Sequence, residues 1–286
     1  MAGLQPSLVI VTGAGFRCAE GITPETDVFN DERIKPNIGA WIAYELVRYQ
    51  YRVFIISKTF DKLQAIKNSI VSSNHNAIIE FAAVDILDQT SVKKLVKQFD
   101  AEQCISLVHS AGLSAGTYNL PNDNPYLPIE KTPLELPMLE FETPVKSLLL
   151  LTQELLPKFR SQGGGKIVVV TSMSGVRPVP LGYSHTSAKA GLHHAVRTLA
   201  LELNKDRIRV SEIMPGAVNT GLYDTVEVQQ AIAQMGKYFG YEYEVGAIPQ
   251  MPPKAVAEAV ILCLKSEAHI LSINLVADGQ WPNLGA

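Results

Sequence analysis

Three side chains that could bind or transfer a proton lie close together in the second half of the sequence: Ser172, His185 and Lys189. Residues 186–204 carry apolar side chains in steps of three and four, which predicts a long helix. His185 and Lys189 are four residues apart and would share one face of it. Ser172 ends an apolar run, 167–172, that predicts a buried strand with a hydroxyl at its carboxyl end. Because an imidazole can act as a general acid or base near neutral pH, these residues indicate proton-transfer chemistry.

This pattern resembles the Ser, Tyr-x-x-x-Lys core of the short-chain dehydrogenase/reductase family. Ser172 lies 13 residues before His185 (185 − 172 = 13), which is the family interval between serine and tyrosine. The resemblance implies that Ser172 orients a substrate oxygen and that Lys189 contacts the ribose of a nicotinamide cofactor. The sequence departs from the family at the tyrosine, whose position holds His185. Tyr183 could supply a hydroxyl to the substrate instead, if its segment is irregular rather than helical.

Three interpretations of His185 remain open. It replaces the tyrosine as acid and base in a carbonyl reduction, although it is shorter and a nearby ammonium disfavours its protonated form. Alternatively, the scaffold serves a reaction that needs no tyrosine, such as isomerisation, cyclisation or elimination. In the third interpretation His185 is a vestige in a non-catalytic subunit or binding protein. His193 and His194 have no carboxylate beside them in the sequence, which favours packing or subunit contact, and no metal site is predicted.

A split glycine-rich turn follows the first predicted strand. Gly13 and Gly15 come directly after that strand, and Ile38 and Gly39 open the helix that would normally follow at once. In dinucleotide-binding folds such glycines let the cofactor pyrophosphate approach the backbone at the start of a helix. The insertion, at about residues 16–36, contains charges of both signs. It is either a lid whose Arg or Lys contacts phosphate or a solvated surface loop.

Short apolar strands and amphipathic helices alternate along the rest of the chain. Such alternation predicts a Rossmann-like α/β fold, in which a doubly wound parallel sheet of about seven strands has helices on both faces. Lys58 follows the second strand, at a position where an acid would favour NAD(H) and a base the 2′-phosphate of NADP(H). NADP(H) is therefore the predicted cofactor and NAD(H) the less favoured one, unless Lys58 is only a solvated loop residue.

Further matches to the family lie where each predicted strand ends. The turn 110–112 is similar to the family's Asn-Ala-Gly turn, with Ser110 in place of the asparagine. The resemblance implies that the cofactor contacts Gly13, Gly15, Ile38, Gly39, Lys58, Asp85, Ile86, Ser110, Ala111, Gly112, Lys189, Pro215, Gly216, Val218 and Thr220. It further implies that the substrate contacts Ser172, Tyr183 and His185.

Two segments interrupt the alternation of strands and helices. Residues 113–137 contain five prolines, which predicts an ordered surface segment whose Tyr118 and Tyr126 either line a substrate pocket or pin the loop. Residues 221–250 correspond to the substrate lid of the family, and their aromatic side chains either contact a fairly apolar substrate or pack the lid onto the body. In the family register, the helix asparagine that holds a proton-relay water falls on Pro144, which cannot take that role.

Composition indicates a globular protein that acts on small molecules. A chain of 286 residues with 47% hydrophobic residues can bury one core, which predicts a single domain, 1–286. The net charge of −3 comes from mixed charges and offers no basic face to nucleic acid or an anionic membrane. Three scattered cysteines and the short amino-terminal apolar run predict a cytoplasmic enzyme. The resemblance implies a homodimer or homotetramer, and a hetero-oligomer remains open.

Overall fold

The computed structural model describes residues 7–18, 23, 25–112, 124–238, 240, 242 and 244–280. The strands are β1 (Leu8–Thr12), β2 (Phe16–Cys18), β3 (Ile34–Pro36), β4 (Arg52–Ser57), β5 (Ile79–Ala83), β6 (Ile105–His109), β7 (Gly165–Val170), β8 (Ile208–Pro215) and β9 (Ser272–Leu275). The helices are α1 (Ile38–Arg48), α2 (Phe60–Ser73), α3 (Gln89–Val96), α4 (Leu136–Phe141), α5 (Ser147–Ser161), α6 (Tyr183–Leu203), α7 (Val226–Tyr238) and α8 (Pro253–Lys265).

Seven of these strands form one sheet in the order β5-β4-β1-β6-β7-β8-β9. Every pair of neighbours in it is parallel. The chain starts near the middle at β1 and winds outward first to one side and then to the other, which confirms the predicted doubly wound Rossmann-like fold. All carboxyl ends meet at one edge, and the winding reverses between β1 and β6, where folds of this kind bind ligands.

Alternate residues of the buried strands supply two apolar layers. In β1, Val9 and Val11 pack with residues of α1, α2 and α8, whereas Leu8 and Ile10 pack with residues of α3, α5 and α6. All five residues of β1 are buried, as expected of a strand that is covered on both faces. The two layers hold the strand ends rigidly, so the turns that follow them are well placed to form a site.

The insertion predicted at 16–36 begins and ends in a short antiparallel hairpin, β2 with β3, beside the main sheet. Two of the described residues between its strands, Val28 and Phe29, pack on α2 and α1. Val28 is buried and its N–H donates to Ser69 Oγ at 3.0 Å. The Phe29 ring lies edge-on to Trp41 with 5.3 Å between the ring centroids. The insertion is therefore anchored to the body through Val28 and Phe29, whereas Asn30, Glu32 and Arg33 are exposed, and its service as a lid remains a prediction.

The helices that bear on the site differ from the pattern in the sequence. α4 continues into α5 through a π-helical turn, Glu142–Lys146. Pro144 lies in that turn, and because proline has no N–H the regular hydrogen-bond ladder cannot pass through it. The helix predicted from residue 186 is α6 and starts at Tyr183. Within the described residues, no helix has both the length and the apolar character needed to cross a membrane.

Candidate active site

A cavity of about 540 Å³ lies along the carboxyl edge of the sheet, above the ends of β1, β4 and β6. Its size falls within the usual range for a ligand pocket. The residues that line it include nine of those predicted to contact a cofactor: Gly13, Gly15, Ile38, Lys58, Ile86, Ser110, Ala111, Gly112 and Thr220. Nine of the fifteen residues that were predicted to contact the cofactor therefore line one cavity.

Six other predicted cofactor residues lie nearby but do not line this cavity: Gly39, Asp85, Lys189, Pro215, Gly216 and Val218. Asp85 forms an ion pair with Lys58, with 2.8 Å between Oδ2 and Nζ. Pro215 ends β8, and Val218 is buried and forms a bridge to Met251. Of these six residues, Gly216 lines a second cavity, which is described below.

The turn after β1 packs tightly against the turn after β6. Gly13 has a φ of +79°, which side chains rarely allow, and a Cβ on it would lie 2.7 Å from the Ala111 Cα. Gly39 abuts the other side of the same turn, since a Cβ there would lie 2.7 Å from the Gly13 carbonyl oxygen. Only glycine at these positions lets the start of α1 and the two turns come together.

Asn37 closes the split glycine-rich turn across the insertion. Its backbone N–H donates to the Gly15 carbonyl at 2.9 Å. Its side-chain Oδ1 accepts from the Gly15 N–H at 3.1 Å and from the Ala40 N–H at 3.0 Å, and its Nδ2 donates to the Gly13 carbonyl at 2.8 Å. One side chain thus caps α1 and fixes both halves of the turn, although the hairpin separates them in sequence.

Three cationic side chains, Arg17, Lys58 and Lys62, line the same cavity. Lys62 Nζ donates to the Phe16 carbonyl at 3.0 Å and so ties α2 to the hairpin. The Arg17 guanidinium donates to the Gly221 carbonyl at 3.4 Å on the opposite side. The hairpin consequently connects two sides of the cavity and adds positive charge to it.

Ser110 and the preceding residue, His109, have contrasting environments. Ser110 Oγ is buried at the cavity and has no hydrogen-bond partner among the described residues. His109 is fully enclosed, with Nε2 3.0 Å from the Pro144 carbonyl and Nδ1 3.0 Å from Thr12 Oγ1. Burial lowers the pKa of His109 to about 4. The ring is therefore neutral, so Nε2 donates to the Pro144 carbonyl and Nδ1 accepts from Thr12 Oγ1. These two hydrogen bonds connect the end of β1 to the π-helical turn.

A second, smaller cavity of about 70 Å³ contains two of the three predicted catalytic residues, Ser172 and His185. Its apolar lining includes Met173, Val179, Ile232, Met235 and Ile248, and its polar lining includes Ser174, Arg177, Tyr126, Tyr223, Gly216 and Gln280. The loop after β8 serves both cavities, since its Gly216 lines the smaller one and its Thr220 the larger one.

Ser172 is held by the turn that follows β7. Its backbone is extended, and its Oγ accepts a hydrogen bond from the Ser174 N–H at 3.1 Å. The hydroxyl oxygen is thereby fixed, while its own proton can be donated to a ligand.

His185 and Lys189 lie in the first two turns of α6, as predicted. Lys189 Nζ approaches the turn after β6, because a Cβ on Gly112 would lie 3.9 Å from it. Burial lowers the pKa of Lys189 to about 8, although the carboxylate of Glu140 acts in the opposite direction. Since α6 already includes Tyr183 and its side chain is 58% exposed, the structure does not bring that hydroxyl to either cavity.

Glu140, on α4, is a site residue that the sequence analysis did not identify. It is 8% exposed, and its Oε2 lies 3.5 Å from His185 Nδ1. The available signal was its spacing: Leu136, Glu140 and Pro144 follow one another in steps of four, and all three are buried. A carboxylate on an otherwise apolar helix face indicates a buried charged partner.

A second buried carboxylate, Glu212 in β8, supports α6 further along. Its Oε2 lies 2.9 Å from His193 Nδ1, and its Oε1 accepts from Thr171 Oγ1 at 2.7 Å. His193 therefore does have a carboxylate partner, contrary to what its sequence neighbours suggested, and the pair joins α6 to the sheet beneath the site.

The sequence and the fold are similar to those of known proteins. The family model described as short chain dehydrogenase matches residues 36–231. An uncharacterized oxidoreductase of Staphylococcus saprophyticus is 25% identical over 272 residues, which cover 94% of this chain and 96% of that protein. The NADPH-bound short-chain oxidoreductase of Pseudomonas aeruginosa that contains an atypical catalytic centre superimposes with a TM-score of 0.71 at 19% identity, covering 98% of each chain. An alcohol dehydrogenase of Thermococcus sibiricus complexed with 5-hydroxy-NADP gives a TM-score of 0.70 at 20% identity, covering 97% of this chain and 99% of that one.

Proposed function

The chain belongs to the short-chain dehydrogenase family, and on that premise we propose that it is an NADP(H)-dependent oxidoreductase. It reduces a carbonyl group, or oxidises the corresponding alcohol, on a small and largely apolar substrate. The observation that carries the proposal is that Ser172 and His185 line one cavity. The loop after β8 lines both this cavity and the larger one, through Gly216 and Thr220.

The larger cavity fits a dinucleotide. Gly15 and Gly112 line it without a side chain that would fill it, and the unpartnered Ser110 hydroxyl is available to a ribose or phosphate oxygen. The start of α1, which Asn37 holds against the turn, is suited to a pyrophosphate. The two structural neighbours described above are themselves bound to NADPH and to 5-hydroxy-NADP.

The charge of the cavity favours NADP(H) over NAD(H). Lys58 follows β4, where the adenosine ribose lies in folds of this type, and Arg17 and Lys62 add two further cations. A 2′-phosphate would compete with Asp85 for the Lys58 ammonium. The ion pair is largely exposed, so exchanging one anionic partner for another costs little.

The protein's own groups supply orientation and a proton. When bound, the reduced nicotinamide supplies a hydride to the substrate carbonyl carbon. The Ser172 hydroxyl donates a hydrogen bond to the carbonyl oxygen, and protonated His185 gives its proton to that oxygen, which yields the neutral alcohol. Lys189 binds the ribose hydroxyls through its ammonium. In the reverse direction, neutral His185 accepts the alcohol proton.

The smaller cavity supports the proposed substrate class. Its volume of about 70 Å³ accommodates only a few heavy atoms beside Ser172 and His185. Met173, Ile232 and Met235 make much of the surrounding surface apolar. The group next to the reacting carbon is therefore small and fairly apolar, with its apolar part toward Met173, Ile232 and Met235.

To test the proposal, the purified protein is incubated with NADPH and a panel of small aliphatic and aromatic ketones and aldehydes. NADPH oxidation is followed by absorbance, and product formation is measured in parallel by chromatography. We expect alcohol formation matched one to one by NADPH oxidation, and a loss of kcat on the order of 10²-fold or more in His185→Phe. His75→Phe, at an exposed position in a turn, is the matched control and keeps full turnover. Undiminished turnover in His185→Phe, or product formed without loss of NADPH, would overturn the proposal.

A further inference from the structure

We infer that Glu140 is a positioning residue for His185, whose imidazole it holds with Nδ1 toward its own carboxylate and Nε2 toward the substrate. This inference rests on the proposed function and assigns the residue that makes a histidine serviceable at this position.

The position of the imidazole between a carboxylate and a cavity is the first support. Glu140 Oε2 lies 3.5 Å from His185 Nδ1. His185 lines the smaller cavity whereas Glu140 does not, so the ring separates the carboxylate from the substrate space. Carboxylate, imidazole and substrate oxygen would then follow one another in line, which is the order in which a carboxylate orients a catalytic histidine.

The second support is an unsatisfied oxygen. Glu140 Oε2 is buried and has no hydrogen-bond partner among the described residues. Buried carboxylate oxygens are normally hydrogen-bonded, because an unpaired charge is costly away from water. His185 Nδ1 is an ion-pair distance away, and a small rotation of the ring would shorten the contact to a hydrogen bond, as often happens when a substrate binds.

Helix packing explains why Glu140 reaches His185. The Phe141 ring lies against Gly191 of α6, where a Cβ would come within 2.6 Å of the ring. That contact lets α4 approach α6 closely and brings the residue next to Phe141 over the first turn of α6. Glu140 shares its buried helix face with Leu136. A rotation of α4 that moved Glu140 into solvent would therefore expose apolar surface as well.

The charged and titratable groups around His185 come from five parts of the chain. Lys189 follows it on α6, Glu140 faces it from α4, and Arg177, Tyr126 and Tyr223 line the same cavity. The two tyrosine hydroxyls share a hydrogen bond, and burial raises the pKa of Tyr126, to which Glu140 adds. Among these groups, Glu140 supplies the carboxylate that faces the imidazole.

The proton then has a defined course during reduction. Imidazolium Nε2 releases its proton to the substrate oxygen as the hydride reaches the carbonyl carbon, and the C=O bond becomes CH–OH. The imidazole that remains keeps its Nδ1 proton on Glu140, and Nε2 takes a new proton from water before the next turnover. Without the carboxylate, the ring can turn over or carry its single proton on Nε2, and both states are unproductive.

The experiment compares wild type, Glu140→Gln, His185→Phe and the double variant, with Glu142→Gln as the matched control. Glu142 is the neighbouring glutamate that pairs with Lys146 near the surface. Carbonyl reduction by NADPH is measured across pH, and the ring nitrogens of His185 are followed by ¹⁵N NMR. Far-ultraviolet circular dichroism and NADPH affinity check the fold of each variant.

We expect the neutral ring of wild-type His185 to carry its proton on Nδ1. Glu140→Gln should lower kcat roughly tenfold to a hundredfold with little change in KM, which is part of the usual contribution of a general acid. Added to His185→Phe, it should reduce kcat no further, since the two residues act as a unit.

Two results would overturn the inference: a wild-type His185 whose neutral ring is protonated on Nε2, or a Glu140→Gln variant that keeps the wild-type kcat. The NMR measurement needs neither a folded variant nor turnover, so it decides the role of Glu140 by itself. Failure of the proposed function is a separate outcome, in which wild type leaves NADPH unoxidised whatever the state of the ring.

Discussion

Asn37→Ala should loosen the glycine-rich turn that the insertion splits. The alanine removes three hydrogen bonds, two accepted from the N–H groups of Gly15 and Ala40 and one donated to the Gly13 carbonyl. Loss of a helix N-cap costs about 1 kcal/mol, and each of the other two partly buried bonds contributes about 1 kcal/mol. The expected loss is therefore about 3 kcal/mol of unfolding free energy, or roughly 6–12 °C in Tm for a domain of this size.

The affinity for NADPH should also fall in Asn37→Ala. If Gly13 and Gly15 lose their fixed positions, NADPH affinity should fall about tenfold or more, because each factor of ten corresponds to only ~1.4 kcal/mol. Asn37→Asp separates the two roles of the side chain. Its carboxylate still caps α1 and keeps most of the stability, but it cannot donate to Gly13 and brings a negative charge to the predicted pyrophosphate position, so affinity should fall at least as far.

Chemical denaturation and calorimetric titration with NADPH measure the two effects, with the exposed Asn76→Ala as the control. A loss below about 1 kcal/mol in Asn37→Ala, together with wild-type affinity for NADPH, would refute the claim that this side chain closes the turn.

The remaining predictions concern charge. Lys58→Asp should lower the affinity for NADPH far more than that for NADH and so reverse the preference between them; parallel titrations with both dinucleotides check this, and an unchanged ratio would contradict it. Burial sets the pKa of Lys189 to about 8, so the ammonium that binds ribose is present below that pH and is lost above it. NADPH affinity should accordingly decline as pH rises through about 8, and Lys189→Met should flatten that profile; a flat wild-type profile would be the contrary result. His193→Phe leaves the fully buried Glu212 without its imidazole partner and should cost about 3 kcal/mol of unfolding free energy, whereas a cost below about 1 kcal/mol in denaturant titration would show that the pair is not needed.

The parts of the fold that depend on local pattern could be predicted from the sequence. Buried strands such as β1 appear as continuous apolar runs. An aspartate directly before a helix is a common N-cap, and Asp88 caps α3 in this way. Gly13 and Gly39 mark the two halves of one turn despite the insertion between them. These features are local, because hydrophobic periodicity and helix caps act over a few residues.

The parts that depend on packing between distant segments could not be predicted. The hairpin strands β2 and β3 have three residues each, too few for a period-two pattern, and the described part of the segment between them is held by contacts such as Phe29 on Trp41. Glu140 and His185 are 45 residues apart (185 − 140 = 45) and meet only because α4 packs on α6 at Gly191. Glu212 reaches His193 across the interface between sheet and helix in the same way.

Calorimetric titration of the purified protein with NADPH and with NADH tests the central claim most directly. Both dinucleotides are expected to bind in the larger cavity. NADPH should bind more tightly, because three cationic side chains line that cavity. Absence of measurable affinity for either dinucleotide would contradict it.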